Sequence, residues 1–157
     1  MARYASDTSV SSEKSRAEIE RTLTRYGATS FAYMTTPADA KIGFEMEGRR
    51  IMFVLPMPDP KAREFTHTPE RGTRRSDTAA QAALEKAGRQ RWRALALVVK
   101  AKLEAVESGI SEFEDEFMAN IVMADGRTVG QWARPQIATM YESGKMPPLL
   151  GHSGASE

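Results

Sequence analysis

The chain has 157 residues, 41% hydrophobic and 27% charged, the balance of one globular domain long enough to bury its own core. It has no cysteine, which excludes disulfides, thiol catalysis and Cys-ligated zinc or iron–sulfur clusters. The net charge of +1 conceals a segregation: residues 49–102 hold thirteen Lys/Arg against five Asp/Glu, and residues 103–157 hold three against nine. A basic middle followed by an acidic last third points to a polyanion site on one face or to head-to-tail self-association.

Residues 1–11 read as a loose polar arm, without the apolar core of a secretory signal. A single domain is expected over 12–143. Its first helix spans about Glu13 to Tyr26, with Ser11 or Ser12 as cap, Ile19, Leu23 and Tyr26 on one face, and Gly27 as the stop. Three short strands follow, over Thr29–Met34, Ile42–Met46 and Ile51–Leu55, each alternating apolar with small or polar residues. Pro37–Asp39 and Glu47-Gly48 supply the turns. One sheet face is apolar and helices must cover it.

Pro56 to Arg75 contains four prolines and Gly72 and reads as a long basic loop, too interrupted for regular structure. Ser76 or Asp77 then caps the longest helix, running to about Ser108 with Gly109 as its stop. Leu84, Gly88, Trp92, Leu95, Val99, Leu103 and Val106 step by three or four and form its buried stripe. Ser111-x-x-Glu114 reads as a capping box opening a helix that carries Phe113, Phe117 and Ile121 on one face. Asp125-Gly126 marks a turn, and Thr128-x-x-Gln131 caps a last segment that Pro135 is expected to split or restart. Residues 144–157 read as a tail. The fold class is therefore α+β: a three-stranded antiparallel meander covered on one face by helices, an α-β-β-β-α core followed by further C-terminal helices.

Several chemistries lose their anchors. His152 falls in the tail and His67 stands alone in the loop, so no Ser-His-Asp arrangement is expected. The chain has no HExxH, no Walker phosphate loop and no GxGxxG. Glu112, Glu114, Asp115 and Glu116 open a helix, where the dipole favours carboxylates without any metal. Glu45 and Glu47 alternate with Met46 and project to solvent. No catalytic residue, metal or cofactor is assigned, and no segment is long and apolar enough to cross a bilayer.

The basic segment carries the functional expectation. Lys61, Arg63, Arg71, Arg74 and Arg75 of the loop, with Lys86, Arg89 and Arg93 of the long helix, would gather cations near one edge of the sheet. Phosphate neutralisation by such groups supplies most nucleic-acid affinity. A solvated basic face supported by pairs such as Glu85–Arg89 would show the same residues without a ligand. Trp92 offers a stacking surface, but its place in the apolar stripe points to the core.

The order helix, meander, loop, long helix resembles the double-stranded RNA-binding domain and the β-β-β-α core of phage single-strand-annealing recombinases. Ser76-Asp77-Thr78-Ala79-Ala80 lacks the lysine cluster with which the former clamps phosphates. Arg25-Tyr26-Gly27-Ala28, Arg91-Trp92-Arg93-Ala94-Leu95, Lys100-Ala101-Lys102-Leu103-Glu104-Ala105-Val106 and Asp125-Gly126-Arg127-Thr128-Val129-Gly130 resemble segments of small uncharacterised proteins encoded by bacteriophages and prophages. That resemblance, spanning about Ser11 to Leu150, implies a mobile-element setting in a bacterial cytoplasm and carries over no catalytic residue. The sequence thus points to a non-enzymatic nucleic-acid-binding protein of phage type, for DNA or RNA. Its rival is an oligomeric interaction protein, an accessory factor or an inhibitor of a host enzyme, whose basic and acidic regions meet between subunits.

Overall fold

The structure, a computed structural model, describes residues 8–146. The outer parts of the expected arm and tail, His152 among them, lie outside the described residues. Helix α1 spans Ser12–Arg25, opened by Ser11, whose Oγ accepts from the Lys14 N–H at 3.2 Å. The sheet follows as β1 (Ser30–Thr35), β2 (Asp39–Met46) and β3 (Arg49–Pro56), antiparallel in the order β1-β2-β3. Phe31 pairs with Phe44 and Tyr33 with Ile42, while Phe44 also faces Ile51 and Ile42 faces Phe53. Glu47 and Gly48 join β2 to β3 with φ of 51° and 71°, the two left-handed residues of the tight hairpin turn that matches strand twist.

Residues of equal parity line one face. Ala40, Ile42, Phe44 and Met46 of β2 and Ile51 and Phe53 of β3 are buried, while Met34 and Val54 on the opposite face are exposed. The covering layer is α1 and the long helix α3 (Asp77–Glu107), which contributes Trp92, Leu95, Ala96, Val99 and Leu103 to the same core as Ile19 and Leu23 of α1. The expected stripe is thus buried over its central turns, with Leu84, Gly88 and Val106 only partly covered. Glu18 pairs with Arg93 at 2.5 Å, and the Tyr26 hydroxyl donates to Glu104 at 2.5 Å. Ascending partners on both helices mean that α1 runs parallel to α3.

Beyond α3 the reading from sequence needs correction. Helix α4 is one short piece, Phe113–Phe117, with Glu112 at its cap and no side-chain cap bond; the Ser111 hydroxyl donates instead to the Glu112 carbonyl. Phe113 and Phe117 are buried, and Phe117 stands edge-on to Phe44 and Phe53. Ile121 is not on that helix. A 3-10 turn over Met118–Asn120 delivers it to the outer edge of β3, where it bridges Ile51. Helix α5, Val129–Ser143, opens with the expected Thr128/Gln131 capping box and runs unbroken through Pro135.

Candidate nucleic-acid interface

The segment expected to be an irregular loop folds back on α3. Its one aromatic side chain of the Phe, Tyr or Trp type, Phe65, sits on the short helix α2 (Arg63–Thr66) and is 6% exposed. Burying a phenyl ring outweighs the helix-breaking prolines on either side of this single turn. His67 then bridges Arg74, and the Thr68 N–H donates to the Thr73 carbonyl at 2.8 Å. Gly72 closes the turn at φ +61°, and the Arg63 guanidinium lies only 3.3 Å from where a Cβ at Gly72 would stand. Arg75 is tied at both ends: its N–H donates to the Thr66 carbonyl at 2.8 Å and its Nε to the His67 carbonyl at 3.2 Å. His67 is half-buried, its Nδ1 2.8 Å from the Thr66 hydroxyl, so it is a member of the folded segment rather than a solvated bystander. Ser76 caps α3 immediately afterwards, its Oγ accepting from the Ala79 N–H at 3.2 Å.

Between α2 and the outward face of α3 lies a groove of about 1150 Å³. Its floor is laid mainly by small side chains, Ala79, Ala83, Ala87, Ala94 and Ala101, with Leu97 and Val98. Arg75, Lys86 and Arg91 contribute cations to the lining, and Glu64 one carboxylate. Arg91 also donates to the Pro56 carbonyl, which ties α3 to the end of β3.

The eight cations singled out from sequence divide on this frame. Lys61, Arg63, Arg71 and Arg74 are exposed on the folded segment; Arg75 and Lys86 line the groove beside it. Arg93 does not join them. It is paired with Glu18, both side chains about one-third exposed or less, and faces α1. Arg89 precedes it by four residues and so lies on the same flank of α3, away from the groove. Arg91, a further cation of the same basic run, lines the groove, and Phe65 is the addition that anchors the segment. The one Phe, Tyr or Trp of a proline-rich stretch was the signal for Phe65.

Other charges are balanced within the chain. Arg49 pairs with Glu114 at 2.5 Å and Lys102 with Glu116 at 3.1 Å, joining the basic middle to the acidic last third. The Lys102 ammonium beside Glu116 holds that carboxyl below the usual glutamate range. Hydrogen bonds from Arg127, first its backbone N–H and then its side chain, lower the Asp125 carboxyl in the same way. Among the described residues no group of His, Asp or Glu is placed to hold a metal ion, and no helix is long and apolar enough to cross a membrane. Compared with family models, curated proteins and solved structures, the chain matches none.

Proposed function

We propose that this chain binds nucleic acid through the folded basic segment and the adjoining half of α3, without catalysing a reaction. The observation that supports this is the gathering of Lys61, Arg63, Arg71, Arg74, Arg75 and Lys86 at one end of α3, on a segment that Phe65 holds in place. Cations prearranged in this way neutralise backbone phosphates with little ordering cost. The groove offers no exposed aromatic ring, so base stacking is not the source of affinity. The rival, charge-paired self-association, is weakened because Arg49–Glu114 and Lys102–Glu116 satisfy part of the charge polarity inside one chain.

Fluorescence anisotropy with labelled single- and double-stranded oligonucleotides tests the proposal. Log affinity is expected to fall linearly with log salt, by about 0.7 per phosphate for single strands or about 0.9 for duplex. Replacing Arg71 and Arg74 together with Ala is expected to flatten the slope by about one to two units for every sequence alike. Arg93→Ala is expected to leave the slope unchanged, because that guanidinium is engaged by Glu18. Absence of micromolar binding at about 50 mM salt refutes the reading.

A further inference from the structure

The two edges of the sheet are finished differently. On the outer edge of β3 the Arg50 carbonyl accepts from the Val122 N–H at 2.8 Å and the Met52 carbonyl from Asn120 Nδ2 at 3.1 Å. That edge is covered. On β1 nothing comparable exists among the described residues. The Thr36 N–H donates to the Asp39 carbonyl, which makes that pair a bonded one. By the alternation of an antiparallel ladder, the even residues of β1 bond to β2. The main-chain groups of Phe31, Tyr33 and Thr35 therefore point away from the sheet.

Strand edges are normally protected by a charge, a proline, a bulge or a covering element. Ser30–Thr35 has no charge and no proline, its register against β2 is unbroken, and Tyr33 and Met34 are 52% and 54% exposed. The uncharged stretch extends from Ala28 to Ala38, so nothing in it attracts a polyanion or an ionic peptide, and nothing repels an identical strand.

We propose that β1 is the seam at which two copies of this chain join, antiparallel about a two-fold axis at Tyr33, forming one continuous six-stranded sheet. Opposing residues must have equal parity for the helical layers to lie on the same side, and the outward groups are all on odd residues. Three registers near the middle of the strand satisfy both conditions, with the axis at Ala32, Tyr33 or Met34. The one that pairs Tyr33 with its own copy and Phe31 with Thr35 engages every outward group. The register centred on Ala32 brings Thr35 opposite Thr29, whose N–H already donates to the Glu45 carbonyl at 2.8 Å, and the one centred on Met34 brings Phe31 opposite Pro37, which has no N–H to give. The chosen register also sets tyrosines side by side on the helical face, where Arg16 lies 5.1 Å from the Tyr33 ring.

Light scattering on the purified full chain at about 100 μM is expected to give twice the 17.4 kDa of one copy. That mass should persist from about 0.05 M to about 1 M salt, since the seam is uncharged. Thr35→Pro removes an outward N–H without touching a bond to β2, and Tyr33→Lys sets two like charges face to face at the axis. Each is expected to give a single-copy mass with an unchanged circular dichroism spectrum. Because the natural chain has no cysteine, Tyr33→Cys should be joined to its own copy by a short bis-maleimide, whereas Tyr141→Cys on α5 should not. A single-copy mass for the unmodified chain overturns the proposal. So does a doubled mass that dissolves in salt, or one that survives both Thr35→Pro and Tyr33→Lys; cross-linking at Tyr141 in place of Tyr33 would do the same.

Discussion

The inner face of α3 carries Trp92, Leu95, Val99 and Leu103, none more than 6% exposed, whereas elsewhere on the same helix Ala82, Ala94 and Val98 lie open to the groove. Both faces belong to one helix with one cap, so helix formation does not distinguish them. Side-chain size does. Bulky residues on one side reach into the sheet, while alanines on the other keep the helix intact over 31 residues and leave a trough beside α2. The same sequence stretch thus supplies the core and the floor of the candidate site.

The sharpest way to break this comparison is to truncate the inner face and enlarge the outer one. Leu95→Ala is expected to cost about 2–5 kcal/mol in chemical denaturation, because the cavity lies where the helix meets the sheet. Ala94→Leu, one residue away, is expected to stay within about 0.5 kcal/mol while obstructing the groove. Equal effects would mean that the two faces are not divided as described. Gly130→Ala probes another close approach: a Cβ there would stand 2.9 Å from the Ala119 carbonyl. A cost of about 1–3 kcal/mol is expected in the same denaturation assay, since backbone on both sides must give way.

A smaller effect of opposite sign is expected at Ser15, whose buried hydroxyl has no hydrogen-bond partner among the described residues. Ser15→Ala removes that unsatisfied group and should raise stability by about 1 kcal/mol, read as a higher denaturation midpoint. The smallest effect is a pH dependence at Glu116. Its folded carboxyl is lowered by Lys102, so the folded state binds fewer protons there than the unfolded state. The pair's contribution is full above the ordinary glutamate range and is lost as pH falls through the lowered folded value. Glu116→Gln should flatten that acid limb by lowering stability slightly near neutral pH, where the pair contributes in full, and should leave stability in acid little changed.

Local periodicity made much of this fold legible. Ile19 and Leu23, the alternation through Ile42–Phe53 and the central stripe of α3 all have the partners that their spacing implies. What escaped depends on distant contacts. Phe65 organises α2 because α3 is there to receive it, and no local pattern states that. Arg93 looked like one cation in a basic run until Glu18, 75 residues away, took it up. Ser111 and Glu114 have capping-box spacing, but Glu112 occupies the cap and Arg49 engages Glu114. Composition marks a basic region but conceals that Arg93 within it is engaged by Glu18.

The parallel course of α1 and α3 has a consequence for the order of assembly. The β2–β3 hairpin closes over two residues, whereas the contacts holding α1 span 75 and 78 residues of chain. Closing so large a loop is entropically slower than forming a hairpin. During synthesis α1 emerges before α3, yet Ile19 and Leu23 lack that covering partner until α3 has been made and laid across the sheet. A helix made before the sheet is therefore among the last elements to dock. Substitutions in it should quicken unfolding more than they slow folding, the reverse of substitutions in the hairpin.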